Sequence, residues 1–597
     1  MSTSSPAVFY NIQLNSYKAQ LSKASERIRR IARFRLITML VAIGFLVAAI
    51  NEQTALYWWA TALFTAVFLV WVRIHGALHH KEKRLKIHVY LLERELLALE
   101  GDIASFEGGK RFVDSTHPYS YDLDIFGNGS VYQLLNRTVT INGADLLSAH
   151  LKEPLTAIPV IETRQQIIGE LSGMPSFLQD FRVAGISVDE EKEDYERVQF
   201  WLNAPDDFIS SIIAKAAVFT MPVIAIGLSV YSIITGVFNN LLVPAIAINW
   251  IVLIIFQKQI KQANLRIGKT ARLVEKYQQL QQQVAVQEFK HPWLKNVCTQ
   301  SADALAQIMQ FRKLANTFDS RNNSMVGPFM NSFFLFDIYC LVRLEWWREK
   351  HKNLLLETIE AMIMMDEYVT CAVYAFNHPE NTYPSLNATG KAIQATDLKH
   401  PLLVRKNVIG NDCSLGAQEQ FYLLTGANMT GKSTFIRTIG INVILAYLGV
   451  PVPAASCSLP VLKIYTSIRV TDSVQDDVSY FRAELNRIKS IMDEVQQSPY
   501  HWLILLDEPL RGTNSGDKQQ GTRSIIETLL HYQAIGIVAT HDIGLCTLAD
   551  EHPGKVNNYH FESTITPAGL AFDFRLYPGG STSNNATALM KQMGIIR

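Results

Sequence analysis

"TGANMTGKST", Thr425 to Thr434, is the stretch on which the reading of this chain turns. It sits inside "FYLLTGANMTGKSTFIRTIGINVILAYLGV", where the apolar run Phe421 to Leu424 reads as a short strand and the residues after Lys432 read as a helix. Strand, glycine-rich turn and helix, with the spacing Gly426-x-x-x-x-Gly431-Lys432-Ser433, form the phosphate-binding loop pattern in its confirming context. The glycines let backbone N–H groups turn inward, and the helix N-terminus adds its partial positive charge. ATP and Mg²⁺ are therefore the expected cofactors. Gly426, Ala427, Asn428, Met429, Thr430, Gly431, Lys432, Ser433 and Thr434 make the loop, with Lys432 for the β- and γ-phosphates and Ser433 for the metal.

About seventy residues on, "HWLILLDEP", His501 to Pro509, carries the fully apolar run Leu503 to Leu506. Such a run fits a parallel strand covered on both faces. Asp507 at its end is placed to hold Mg²⁺ through water, and Glu508 to orient and polarise the attacking water. A third apolar run, "AIGIVATHD", Ala534 to Asp542, ends at His541, where a γ-phosphate sensor would stand. Glu508 and His541 are the catalytic candidates; Ser433 and Asp507 are the metal candidates.

The rest of the 597-residue chain is too long for one core. Hydrophobic residues make up 48% and charged residues 18%, against about 25% charged in ordinary soluble domains. The net charge of +1 gives no global field for polyanions. Six cysteines, widely spaced and without a CxxC pair, point to reduced thiols rather than disulfides or a zinc site. The apolar excess lies in two pairs of runs. Leu36–Ile50 and Ala55–Val72 are separated by "NEQT"; Ala216–Gly236 and Leu241–Phe256 are separated by "VFNN". Each reads as a helical hairpin near the lower length limit for crossing roughly 30 Å of hydrocarbon. "RIRRIARFR" before the first pair and "HHKEKRLK" after it put both ends in the cytoplasm by the positive-inside rule. A multi-pass membrane protein is expected, in a cytoplasmic or inner membrane, with its soluble parts facing the cytoplasm. The spans carry few charges, so no ion or solute path is indicated.

The motifs now carry a resemblance. The loop segment closely resembles that of the MutS family of DNA mismatch-repair ATPases, whose usual form is GPNMGGKST, with Ala427 and Thr430 here for Pro and Gly. "DEPLRGTNSGD", Asp507 to Asp517, resembles the family's DEIGRGTST stretch. "ATHD" resembles its ATH segment, and "DDVSYFRAEL", Asp476 to Leu485, its STFM-E signature. "KHPLL" and "IGND", ending at Asp412, match the opening of its ATPase domain. "LLNRTVTINGADLLSAHLKEP", Leu134 to Pro154, resembles the opening of its helical core, so the likeness runs from about Asp122 onward.

The resemblance implies a dimer of facing ATPase sites, each taking Ser479 from its partner, and an adenine held between Ile409 and Tyr577. It implies DNA as a possible ligand, beside the lipid bilayer. It departs from the family in two places. No Phe-x-Glu mismatch reader occurs, and the second hairpin falls where the family inserts its DNA clamp. A helix-turn-helix tail is not expected either.

The fold class implied is multidomain, α and α/β: a helical MutS-like core and lever with two transmembrane hairpins, then a C-terminal ABC-type P-loop ATPase domain. The expected units are a polar, basic segment over 1–35, hairpin one over 36–74 and core helices over 75–208. Hairpin two over 209–257, returning lever and core helices over 258–385, and the ATPase domain over 386–597 complete the chain. Two functional readings stay open: a membrane-anchored, ATP-dependent DNA-binding protein of the mismatch-repair family, or a membrane-tethered ATPase in remodelling or signalling without mismatch recognition. A transporter half is disfavoured because no LSGGQ signature occurs.

Overall fold

The structure is a computed structural model. It describes residues 5–581 except 237–240, 324, 389, 391, 404–407, 428–429, 470–479, 498–500 and 567–568, with backbone alone at 269, 480, 563–566 and 569–570. Two helices dominate the N-terminal part, α1 (Pro6–Glu52) and α2 (Ala55–Leu99). Each is about 70 Å long at 1.5 Å per residue, and they pack together as a hairpin. The turn follows from Gln53, which adopts a left-handed conformation (φ 49°) and donates its N–H to Ala49 O. The N-terminal segment separated at residue 35 in the sequence reading is the first half of α1, continuous with the apolar run. Its heptad-like apolar positions Tyr10, Leu14, Ile28 and Ile31 are buried, as are Leu85, Leu91 and Leu92 of α2. The far ends are exposed and apolar: Trp59 is 76% and Leu56 74% exposed.

The base of the hairpin is tied to the core by a buried ionic cluster. Glu95 of α2, 1% exposed, lies 2.8 Å from Arg137 Nε and 2.7 Å from Arg182 Nη2. Its second oxygen accepts from Asn377 Nδ2 at 3.0 Å, and Asn377 Oδ1 accepts from Tyr10 OH at 2.7 Å. Burial alone would raise the Glu95 carboxyl, but the two guanidiniums carry it down to about 2.

The core is helical. α3 (Val131–Leu135), α4 (Ile141–Lys152), α5 (Ile158–Ser172), α6 (Pro175–Ile186) and α7 (Asp194–Leu202) precede the second apolar pair. That pair is α8 (Ile212–Thr235) and α9 (Leu242–Ile255). Its two limbs are unequal. α8 has 24 residues, about 36 Å, whereas α9 has 14, about 21 Å, and it meets α10 (Gln257–Val284) at 64°. Among the described residues α1, α2 and α8 are long and apolar enough to cross a membrane, with α9 and α10 a fourth candidate if taken as one bent span.

α10 packs on α6, α7 and α11 (Pro292–Asp319), burying Leu273, Val274, Tyr277, Leu280 and Val284. This makes it part of the core rather than a solvated linker. The short α12 (Val326–Phe334) leads into the 42-residue α13 (Phe336–Asn377), which runs from the apolar hairpin to the C-terminal domain. Its buried Asp366 accepts from Val139 N, Thr140 N and Thr140 Oγ1, closing the start of α4.

The C-terminal domain holds two sheets. β1 (Ser385–Asn387), β2 (Ile393–Leu398), β3 (Asn411–Leu415) and β5 (Ser456–Pro460) form the smaller, in the order β1-β5-β2-β3. The larger has the order β10-β9-β4-β8-β7-β6. Its strands are β4 (Phe421–Thr425), β6 (Lys463–Ser467), β7 (Trp502–Asp507), β8 (Ile535–Ala539), β9 (Val556–Thr566) and β10 (Gly569–Pro578). All its neighbours are parallel except β9 and β10. β4 and β8 are buried along their whole length, and β7 as far as Leu506, the burial their unbroken apolar runs predict. Helices α14 (Lys432–Leu448), α15 (Tyr480–Gln497), α16 (Ser515–His531) and the single turn α17 (Leu548–Glu551) complete the domain.

Core and domain meet at charged junctions. Arg164 of α5 donates to Leu448 O, the last carbonyl of α14, at 2.9 Å, and pairs with Glu367 of α13 at 2.9 Å. Asp122 accepts from Thr466 Oγ1, Ile468 N and Arg469 N at the end of β6.

Candidate nucleotide-binding site

Three neighbouring strands, β4, β8 and β7, end side by side, and the chemistry sits on their C-terminal ends. Parallel α/β sheets place ligand sites there. The loop after β4 turns on Gly426 (φ 138°) and Gly431 (φ 112°), conformations closed to residues with a Cβ. Gly431 caps α14 without a side-chain hydrogen bond, so the first N–H groups of that helix face the loop unclaimed by a cap. Asn428 and Met429 lie outside the described residues. Thr430 steadies the loop by donating Oγ1–H to Ala427 O at 2.9 Å.

Lys432 is buried and folds back over the loop, donating to Gly426 O at 2.7 Å and Ala427 O at 2.8 Å. Burial lowers its ammonium pKa, and the negative charges of Asp507 and Glu508 oppose that shift. Ser433 Oγ donates to Asp507 Oδ2 at 2.6 Å, so the metal candidates, one from the first turn of α14 and one from the end of β7, are already in contact. A hydroxyl beside a carboxylate is a hard-oxygen donor pair suited to Mg²⁺. Together with the uncapped N–H groups and the Lys432 ammonium, the residues present fit a Mg²⁺-bound nucleoside triphosphate.

Glu508 sits next to Asp507 in a left-handed conformation (φ 54°), with its N–H bonded to Ala539 O. Its carboxylate is 3.0 Å from Lys518 Nζ and 3.3 Å from Arg511 Nε. Burial raises this carboxyl, but Lys518, Arg511 and His541 together bring it below its ordinary value. His541, exposed at the end of β8, is held below its usual pKa by burial and by the charge of Lys432. Ser479 lies outside the described residues.

Ile409, 39% exposed, faces a cavity of about 190 Å³ beside the loop, lined also by Gly431, Thr434, Phe435, Phe561 and Phe574. Tyr577 does not line it. It faces the larger open cavity next door, of about 940 Å³, which Ile409 also lines, with its hydroxyl on Asp573 Oδ2 at 2.7 Å. The ring beside the loop is Phe574, while Ile409 and Tyr577 share the larger cavity. Phe574 is set beside the loop by a register shift in β10 between Phe572 and Leu576, with Phe574 at φ 54°. The bulge breaks the two-residue alternation by which a ring is counted onto a face. Asn411, beside Ile409, fixes it: its Nδ2 donates to Phe574 O at 3.0 Å and its Oδ1 accepts from Leu576 N at 2.8 Å.

A further residue was missed. Glu484, in the quoted stretch "DDVSYFRAEL", is 2% exposed and accepts from Leu510 N at 2.6 Å and Arg511 N at 3.1 Å. Leu510 is left-handed (φ 61°), so this carboxylate pins the strained turn that carries Glu508 and Arg511. The sequence signal was the glutamate closing that signature. Glu484→Ala is expected to cost about 1–3 kcal/mol, because buried N–H donors lose their acceptor, and to slow ATP turnover. Glu484→Gln keeps one acceptor and should be milder. Equal turnover in parent and alanine variant would remove Glu484 from the site's support.

Residues 422–595 match MutS domain V. The chain is 29% identical over 244 residues to the DNA mismatch repair protein MutS of Natronomonas pharaonis, covering 40% of this chain and 28% of that one. It is 30% identical over 255 residues to that of Chloroflexus aurantiacus, covering 41% and 26%. To the DNA mismatch repair protein MutS 2 of Halobacterium salinarum it is 30% identical over 241 residues, covering 39% and 27%. The chain thus spans about a quarter of the length of these curated relatives. The matched region holds the loop, the Asp507–Glu508 pair and His541. The C-terminal domain of this chain belongs to the MutS family.

Proposed function

We propose that this protein is a membrane-anchored MutS-type ATPase that binds ATP with Mg²⁺, hydrolyses it, and works as a dimer on DNA. The observation that supports it best is the contact of Ser433 with Asp507 at 2.6 Å beneath Lys432 and beside Glu508. Bound ATP·Mg²⁺ supplies the transferable phosphoryl group and neutralises part of its charge. The chain does the rest. Lys432 and the α14 N-terminus bind the phosphates. Ser433 and Asp507 hold the metal, and Glu508 orients the water. His541 senses the terminal phosphate, Ser479 reaches the partner's nucleotide, and Ile409 with Tyr577 flanks the base. The relatives' name, DNA mismatch repair protein, is what makes DNA the proposed ligand.

A second reading is favoured by the exposed apolar helices and by the lack of a Phe-x-Glu reader: the motor acts on the bilayer, in remodelling or signalling, with no DNA ligand. In either reading α1, α2 and α8 cross the membrane and the soluble parts face the cytoplasm. The protein is then expected to stay with membranes through high salt and alkaline carbonate and to leave with detergent; release by carbonate would end the spanning assignment.

The deciding experiment is ATPase activity of the detergent-purified chain at low salt, alone and with duplex, mismatched and branched DNA. Mg²⁺-dependent hydrolysis stimulated by DNA, with steep salt dependence, is expected. Hydrolysis stimulated by none of the three selects the second reading. Failure to bind ATP at all refutes both.

A further inference from the structure

The second apolar hairpin has a companion that the sequence reading did not single out. From Asn322 to Phe336, "NNSMVGPFMNSFFLF", fifteen consecutive residues carry no charge. Most of this stretch is α12, which packs against both α8 and α9. Asn249 of α9, fully buried, donates Nδ2–H to Ser332 O at 2.7 Å, and Trp250 Nε1 donates to Ser332 Oγ at 3.1 Å.

The charges that bound the stretch cancel each other: Arg321 Nη1 is 3.0 Å from Asp337 Oδ2, both mostly buried. The turn out of α12 is closed internally. Leu335, left-handed at φ 47°, donates its N–H to Asn331 O, and Asp337 N donates to Asn331 Oδ1 at 2.9 Å. Among the described residues the other face of α12 is uncovered: Met325, its N-cap residue, is 84% exposed and Phe329 56%. Beyond it, Tyr339 and Trp346 of α13 are also exposed, and Trp346 stacks on Phe219 of α8.

We propose that α12 is a third membrane-inserted element, dipping into the bilayer beside α8 and α9 with its Met325–Phe329 face against lipid acyl chains. The proposal rests on the reading that α8 enters the bilayer. Three physical arguments carry it. An uncharged segment whose flanking charges are paired and whose turn is satisfied internally avoids the main cost of leaving water. α9, at about 21 Å, is too short to cross roughly 30 Å of hydrocarbon, so it enters as a shallow limb, and α12 is seated on it. Tyr339 and Trp346 stand where aromatic side chains mark a membrane–water boundary. Lipid is the occupant because the exposed face is continuous with that of α8 and α9, where Ile212, Val223 and Ile254 are likewise exposed.

The test places nitroxide labels on full-length protein, with Cys298 and Cys546 replaced by serine, in phosphatidylcholine–phosphatidylglycerol vesicles. Met325→Cys and Phe329→Cys are the probes, Val223→Cys on α8 the lipid reference, and Lys313→Cys on α11 the water reference. Retained ATPase activity certifies each fold. The oxygen-to-nickel-chelate accessibility ratio at 325 and 329 is expected to match that at 223 and to exceed that at 313 several-fold. Ratios at 325 and 329 like that at 313, with 223 still in lipid, overturn the insertion of α12 and leave α8 spanning. An aqueous ratio at 223 as well refutes both. Exclusion of both reagents from 325 and 329 means that protein, such as a second copy of this chain, covers the face, and also overturns the proposal.

Discussion

Glu508→Gln is expected to bind ATP and Mg²⁺ as the parent does and to hydrolyse ATP about 10²- to 10⁴-fold more slowly, the range set by removing a positioned general base. Gln keeps the shape and a hydrogen-bonding oxygen, so the loop, Lys432 and the Ser433–Asp507 pair are undisturbed. What goes is the negative charge that polarises water. The carboxylate stands between Lys518 and Arg511, and those cations keep it ionised well below neutral pH. No acidic limb from Glu508 should therefore enter the ATPase profile until the pH falls below the ordinary glutamate range. Single-turnover hydrolysis with nucleotide retention on the filter checks both halves: the mutant should accumulate bound ATP and a closed dimer. Hydrolysis at the parental rate would show that another group handles the water.

Glu95→Ala is the other large effect, and it acts on the fold. Removing this carboxylate leaves Arg137 and Arg182 buried side by side without its charge, and takes one acceptor from Asn377 Nδ2. Breaking a buried ion pair from one side costs about 3–5 kcal/mol, a large share of a typical total of 5–15 kcal/mol. Thermal unfolding in detergent, followed by circular dichroism, should show the loss as a markedly lower midpoint. A change below about 1 kcal/mol would mean that the cluster is effectively solvated.

The same cluster predicts a pH dependence. Its folded pKa, about 2, lies below the ordinary value of 4.5. The stabilisation is therefore complete above pH 4.5 and is lost as pH falls from there toward 2. Glu95→Ala should lack that component of the acid transition. The cluster also ties the α1–α2 hairpin to α13, whose Glu367 pairs with Arg164 under the last carbonyl of the P-loop helix. A continuous buried route thus joins the nucleotide site to α1 and α2.

The sequence by itself determined the P-loop, the three central strands and the acidic pair. Each depends on local rules: glycine where φ is positive, unbroken apolar runs where a strand is covered on both faces, and polar groups at strand ends. It also located the apolar helices, because hydrophobic length is read directly. Only the tertiary structure decided the rest. Phe574 stands beside the loop because a bulge, held by Asn411 from 163 residues away, resets the alternation of β10. Glu484 reaches Leu510 across 26 residues, and Glu95 reaches Asn377 across 282. Pairings of this kind depend on which surfaces meet after collapse, and no local period in the chain encodes them. α12 falls in the same class: nine residues are too short to register as a span, and only its seat on α8 and α9 gives its apolar face a meaning.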